Sequence, residues 1–213
     1  NMLRPWAYIE RVPSFNLVGS TVQSDGGYDA EVAHRLRSAG AAWARLRPTC
    51  FSGYLLGPAR KFALFRVFVL TRLLYGAELW RLPAALLRRM EHFYNACLRN
   101  MAGYNRWTMH AQHVSDARIR SLLGAPALLE LIDRACLRWA GHCARMSADR
   151  LPLQLLSAEV VGWRRGDRGA DTTYFRNCHR VGQALRRFGI ARDVWWDAAQ
   201  EASRWRARLR RGW

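Results

Sequence analysis

Apolar residues in this chain recur at steps of three and four, and proline and glycine cut the pattern into blocks. That combination restricts the chain to a set of packed helices. Val32, Leu36, Ala39, Trp43 and Leu46 share one helical face, while Arg35, Arg37, Arg45 and Arg47 occupy much of the rest. Asp29 stands where an N-cap belongs. Pro48 closes this block, and Pro58 opens a second anchored by Phe62, Phe65, Val69, Leu73 and Trp80. Pro83 opens a third, with Leu86, Met90, Phe93, Tyr94, Cys97 and Leu98, ending near Gly103. One or two short helices fit residues 107–123 before Gly124-Ala125-Pro126 breaks the pattern. A strong helix is predicted from about Leu128 to Met146, a helical turn around Pro152, and two more helices over 172–188 and 193–210. Only residues 1–27 read as β: β-formers over Phe15–Val22 are interrupted by Gly19 and followed by the turn Ser24-Asp25-Gly26-Gly27. The expected fold is mainly α, a helical bundle with a small N-terminal β remnant and a second helical block.

Half of the residues are hydrophobic, enough for a core, and 23% are charged, which argues against wholesale disorder. The sign of the charge is the unusual part. Thirty-four basic against sixteen acidic residues leave +18, and Lys61 is the sole lysine. A domain this basic calls for a polyanion, nucleic acid first and an anionic membrane surface second. Guanidinium forks suit phosphate, although a GC-rich genome also raises arginine. The most apolar run, Phe62–Tyr75, carries Arg66 and Arg72 and is too short to span a bilayer. No signal peptide is evident. Five scattered cysteines fit free thiols in a reducing compartment, so nucleus or cytoplasm is expected. Charge divides the chain: residues 1–106 carry net +9, residues 107–159 net +1 and residues 160–213 net +8. The near-neutral middle is therefore expected to be the packing centre. This gives segments 1–27, 28–106, 107–159 and 160–213.

Complete catalytic sets are missing from the sequence. There is no adjacent Asp-Asp pair to hold two metal ions, and no Walker A or G-x-S-x-G element. Asp25, Asp29 and Glu31 are close together but fit turn and capping roles. Cys136, His142, Cys143, Cys178 and His179 lack zinc spacing, and adjacent His142 and Cys143 point to different sides of a helix. His110 and His113 share a helix face, where a polar surface explains them. No metal or other cofactor is expected in this chain.

Three stretches resemble the C-terminal part of non-LTR (LINE-type) retrotransposon reverse transcriptases. Phe15-Asn16-Leu17-Val18-Gly19-Ser20-Thr21-Val22, with Asp25-Gly26 and Glu31-Val32, is similar to the family's F-x-Y-L-G-S-x-I…D-G…E-I segment. Leu73-Leu74-Tyr75-Gly76-Ala77-Glu78-Leu79-Trp80 is close to L-L-Y-G-x-E-x-W. Leu137-Arg138-Trp139-Ala140-Gly141-His142-Cys143-Ala144-Arg145-Met146 is close to L-R-W-x-G-H-x-x-R-M. Their order and spacing follow the family over about residues 13–152. Leu17 and Val18 replace its tyrosine and leucine, and Gly169-Ala170-Asp171-Thr172-Thr173 replaces its basic G-R-P-K-K run.

The resemblance implies a piece of an RNA-directed DNA polymerase that holds template RNA and the primer–template duplex. Residues 1–27 would end the palm at the primer grip, with Phe15, Leu17 and Gly19 near the primer, and residues 28–106 would form the thumb. The catalytic carboxylates and their Mg²⁺ would then lie upstream of Asn1, so this chain alone is expected to be inactive. The palm and fingers would be its protein partners. A piece separated from its palm should expose an apolar surface at the docking site. Two other readings stand beside this one: an independent helical RNA- or DNA-binding module, or a decayed remnant. A membrane-surface or protein scaffold is a further rival.

Binding candidates follow from interleaved tryptophan and arginine, which pair base stacking with phosphate contact. Trp43, Trp80 and Trp139 lie on apolar stripes and are expected in the core, and of adjacent Trp195 and Trp196 at most one should face inward. Trp163, Arg164, Arg165 and Arg168 lie in a glycine–arginine loop from Gly162 to Gly169. Arg204, Arg206 and Arg208 lie on the last helix, and Arg35 and Arg45 on the first complete the set.

Overall fold

In the computed structural model, which describes residues 12–53, 55–157 and 173–210, the N-terminal β-formers close into a hairpin. Strands β1 (Ser14–Leu17) and β2 (Ser20–Gln23) pair antiparallel, with Phe15 opposite Val22 and Asn16 opposite Thr21. The turn residues Val18 and Gly19 both take positive φ, 49° and 82°. Such mirror-image turns match the twist of the flanking strands. Glycine accepts this conformation readily; a β-branched valine does not.

Helix α1 (Asp29–Leu46) begins at Tyr28, so Asp29 is the first helical residue and not the cap expected from the sequence. The capping role passes to Gln23 at the end of β2, whose Oε1 accepts the Ala30 N–H at 2.8 Å. A π-helical turn over Arg47–Phe51 absorbs Pro48. Helix α2 (Pro58–Phe65) continues through a second π-helical turn, Arg66–Leu70, into α3 (Thr71–Leu73). Gly76, at φ 76°, then reverses the chain, and a 3₁₀ turn over Ala77–Leu79 delivers Trp80 to the core. Helices α4 (Ala84–Met101), α5 (Arg106–Ala111) and α6 (Asp116–Leu123) follow, the last two capped by Asn105 and Ser115. Gly124 ends α6 in the left-handed conformation. The chain continues through α7 (Leu128–Cys143), α8 (Leu151–Ser157) and α9 (Thr173–Arg187). The single helix expected over 193–210 is two, α10 (Trp195–Gln200) and α11 (Ala202–Arg210), because Glu201 is extended.

Two apolar clusters organise these helices, and α7 belongs to both. Leu128 and Ile132 near its start join Val32, Phe65, Met90 and Tyr94. Cys136, Leu137 and Ala140 further along join Leu185, Ala199 and Trp205. Trp80 is buried as expected, whereas Trp43 and Trp139 are half-buried. Trp43 stacks on Phe51 with ring centroids 4.8 Å apart. Trp195 and Trp196 both half-bury against the second cluster, because they meet edge to face instead of on opposite sides. Asp133 is wholly buried and lies 2.8 Å from both Arg180 and Arg187, tying α9 to α7. Lys61 is also buried, and its ammonium donates to the Met101 carbonyl at the C-terminal end of α4.

Candidate nucleic-acid interface

Five of the residues that sequence reasoning singled out fall in two places, Phe15, Leu17, Gly19 and Arg35 in one and Arg206 in the other. The first is the joint between hairpin and helices. Glu31 and Arg35 are one helical turn apart on α1, both nearly inaccessible, and their side chains pair at 2.7 Å. The second carboxylate oxygen of Glu31 accepts the Thr21 N–H at 2.6 Å, while the Arg35 guanidinium donates to the Gly19 carbonyl. Arg35 also lies over the Tyr75 ring, 4.8 Å from its centroid, and the Tyr75 hydroxyl donates to the Val18 carbonyl at 2.8 Å. The first two motifs are thus parts of one clasp. Gly76 belongs to it as well: its φ of 76° disfavours a side chain, and it lies against Ser20.

This clasp corrects the reading of Arg35 as a solvent-facing phosphate contact: its guanidinium is committed to Glu31 and the turn. Gly19 contributes its carbonyl to the same clasp. Phe15 and Leu17 are about half exposed, and Val18 and Val22 are exposed too, so the hairpin presents an apolar surface. Asp25 accepts the Gly27 N–H at 2.8 Å, the turn role expected of it.

The second place is a groove of about 780 Å³ lined by Arg66, Arg134, Arg138, Arg206 and Arg210 over Leu74, Leu131, Ala135 and Leu209. Helical spacing on α7 explains half of it: Leu131, Arg134, Arg138 and His142 follow one another at three or four residues and share a face, with Arg145 in the turn just beyond. Helix α11 supplies Arg206 and Arg210 at i, i+4. Ala135, Arg138 and Arg206 also line a second hollow of about 420 Å³, with Glu78, Trp139, His142 and Arg145 on its wall.

What fixes the two helices against each other is an indole in a notch. Trp205 is buried, and its Nε1 donates to the Leu137 carbonyl at 2.9 Å. It rests on Gly141, where a β-carbon would collide with the ring. The glycine of the third motif therefore admits Trp205, and the next residue, Arg206, is carried to the groove beside Arg138.

Charge in the groove is only partly compensated. Arg134 pairs with Glu130 at 2.8 Å. Burial holds its pKa below the usual arginine value against the pull of Glu130, and the neighbouring Arg138 pushes the same way. Among the described residues, no carboxylate lies within ion-pair distance of Arg138, Arg206 or Arg210. Beneath the groove, burial raises the Cys136 thiol to about 11, so it stays protonated at neutral pH.

The other candidates are dispersed. Arg45 is exposed beside a separate hollow of about 440 Å³ between α1 and the Arg66–Leu70 turn, shared with Ala42, Phe68 and Arg72. Arg204 is exposed and Arg208 half-exposed on α11, outside the groove lining. Trp163, Arg164, Arg165 and Arg168 lie outside the described residues. Sequence reasoning missed Arg66, Arg134, Arg138 and Arg145 as a set. For Arg134 and Arg138 the signal was present in the spacing of α7 but hidden by the near-zero net charge of residues 107–159; Arg66 joins them only through the tertiary fold. Among the described residues no group of three metal-ligating side chains stands together, Cys50, Cys97, Cys136 and Cys143 are free thiols, and no helix is long and apolar enough to cross a membrane.

No model of a known protein family matches the chain, and no solved structure matches it. It is similar to an uncharacterized transposon-derived protein of Caenorhabditis elegans, 24% identical over 212 residues that cover 95% of this chain and 72% of that protein. The likeness spans the hairpin, the helices and the groove together. It supports a transposon-related origin.

Proposed function

We propose that this chain is the nucleic-acid-holding, C-terminal part of a retroelement reverse transcriptase, itself without the catalytic carboxylates. The observation that carries the reading is the arginine-lined groove between α7 and α11, because one of the three retroelement-like motifs builds it: Arg138 lines it and Gly141 makes room for the tryptophan that sets its second wall. The clasp supports the same reading. The first motif meets the second there through Arg35 and Tyr75, leaving Phe15 and Leu17 exposed on the side where a polymerase palm would sit. RNA and DNA of a primer–template are the partners this reading names, and Mg²⁺ belongs to the palm. An independent binding module is the second reading; it is favoured by the helices burying two apolar clusters of their own.

Salt titration of binding tests the reading. Each phosphate neutralised on a duplex contributes about −0.9 to the slope of log K against log salt, so roughly six arginine contacts give a slope near −5. A slope near zero across moderate salt removes nucleic acid as the partner. The reading frame upstream of Asn1 tests the polymerase reading: an in-frame Tyr-x-Asp-Asp strand supports it, and a stop codon supports a decayed remnant or a reused module.

A further inference from the structure

Duplex and unpaired strands ask different things of a protein surface. A duplex is convex, shows its phosphates outward and hides the faces of its bases in the stack. An unpaired strand exposes base faces and can enter a concavity. The groove between α7 and α11 matches the second description. Its arginines stand around an apolar floor of Leu74, Leu131, Ala135 and Leu209, which no phosphate can use and a base face can. At about 780 Å³ it falls within the roughly 300–1,000 Å³ typical of ligand-holding hollows. Arg138 and Arg206 also line a neighbouring hollow with half-buried Trp139 and Arg145 on its wall and Glu78 as the carboxylate there.

From this geometry we infer that the Arg66–Arg138–Arg206–Arg210 groove, continued to Trp139, is a track for an unpaired polynucleotide strand. The inference rests on the nucleic-acid reading above and narrows it: of the nucleic acids that reading names, the groove takes the unpaired strand. Arg138 and Arg206 contact the backbone where the two hollows meet, the apolar floor takes base faces, and Trp139 offers a stacking face. Mutual repulsion among the guanidiniums is relieved when the strand's phosphates enter.

The test compares the full chain with Arg138→Ala/Arg206→Ala, with Trp139→Ala, and with Arg88→Ala/Arg118→Ala. The last pair removes the same charge from exposed positions outside the groove. Each protein is titrated with labelled oligo-U, oligo-dT and a blunt hairpin duplex at several salt concentrations, after thermal unfolding has verified its fold. The groove double variant is expected to lose about tenfold or more in affinity for both single strands, and its salt slope to fall by about 1.4, from −0.7 per lost contact. Duplex binding is expected to change less than about twofold. Trp139→Ala should weaken single-strand binding about fivefold or more, while Arg88→Ala/Arg118→Ala follows the parent chain. A loss confined to oligo-U identifies RNA as the strand, and equal losses extend the track to any unpaired strand. Equal weakening of duplex and single strands, or single-strand binding untouched by the groove variants, overturns the track and leaves the broader reading standing. Failure of the parent chain to bind any of the three overturns both.

Discussion

The hairpin clasp and the α7–α11 groove are built on inverted plans. At the clasp, charge is inside and apolar surface outside: Glu31 and Arg35 are buried as a pair while Phe15, Leu17, Val18 and Val22 face out. At the groove, an aromatic ring is inside and charge outside: Trp205 sits in the Gly141 notch while Arg138 and Arg206 face out. Both sites contain arginines, but Arg35 is buried while Arg138 and Arg206 are open to solvent. Net charge therefore does not identify a binding surface; the accessibility and pairing of each guanidinium do.

Breaking the groove should have the largest effect on stability. Trp205→Ala removes a ring from the second apolar cluster together with its hydrogen bond to the Leu137 carbonyl. Replacing a buried tryptophan by alanine costs about 3–5 kcal/mol. The expected outcome in urea unfolding is a loss of that size with m unchanged. Gly141→Val should fail in the same direction, since its side chain would enter the space of the indole. A loss under about 1 kcal/mol for Trp205→Ala would mean that the indole does not hold α11 to α7.

Breaking the clasp should give a smaller and more local response. Glu31→Gln leaves the Arg35 guanidinium buried without its countercharge and weakens the acceptor for the Thr21 N–H. Removing one partner of a buried ion pair costs about 3–5 kcal/mol, and release of the hairpin to water should recover part of that. Hydrogen exchange at Thr21 is expected to accelerate about 100-fold, the equivalent of roughly 3 kcal/mol, with α7 amides unaffected. Equal acceleration in α7 would show that the clasp and the groove form one cooperative unit, which would erase the contrast between them.

How much of this was legible in the sequence follows from the range of the forces involved. Helix faces were readable, because the burial of Val32, Phe65, Leu86 and Met90 follows from local periodicity. The β character of Phe15–Val22 was readable, but its closing into a hairpin at Val18 and Gly19 was not, since the expected turn lay at Ser24–Gly27. Pairings across the chain were not readable either. Nothing in local spacing says that Gln23 will satisfy the Ala30 N–H in place of Asp29, or that Tyr75 will reach the Val18 carbonyl fifty-seven residues away. Arg35 looked like its neighbours Arg37 and Arg45 because only the tertiary fold brings the turn carbonyl to it. The groove needed α7, α11 about seventy residues later and the stretch around Arg66 and Leu74 before them, and only the α7 face was written in one stretch. The resemblance identified Gly141 and Arg138 as motif residues without saying what either does; the indole of Trp205 supplies the reason for the glycine.

The smallest effect comes from relieving the clasp at its turn. Val18 is 83% exposed and holds φ at 49°, a conformation that costs an L-residue with a branched side chain about 1–2 kcal/mol. Its contribution to the clasp is a main-chain carbonyl, which accepts from Tyr75 whatever side chain is attached. Val18→Asn places asparagine before Gly19, the pair that mirror-image hairpin turns favour most, and asparagine tolerates positive φ through its short polar side chain. The hairpin should gain about 1 kcal/mol, read as exchange at Thr21 slowing roughly fivefold, opposite in sign to Glu31→Gln. Combining the two substitutions distinguishes local from shared stability. If the turn and the ion pair act on the same hairpin opening, the double variant should show neither change in full, with Thr21 exchange lying between the two single variants. If Val18→Asn fails to slow exchange at all, opening is limited by the side-chain clasp alone and the strained turn is carried through it intact.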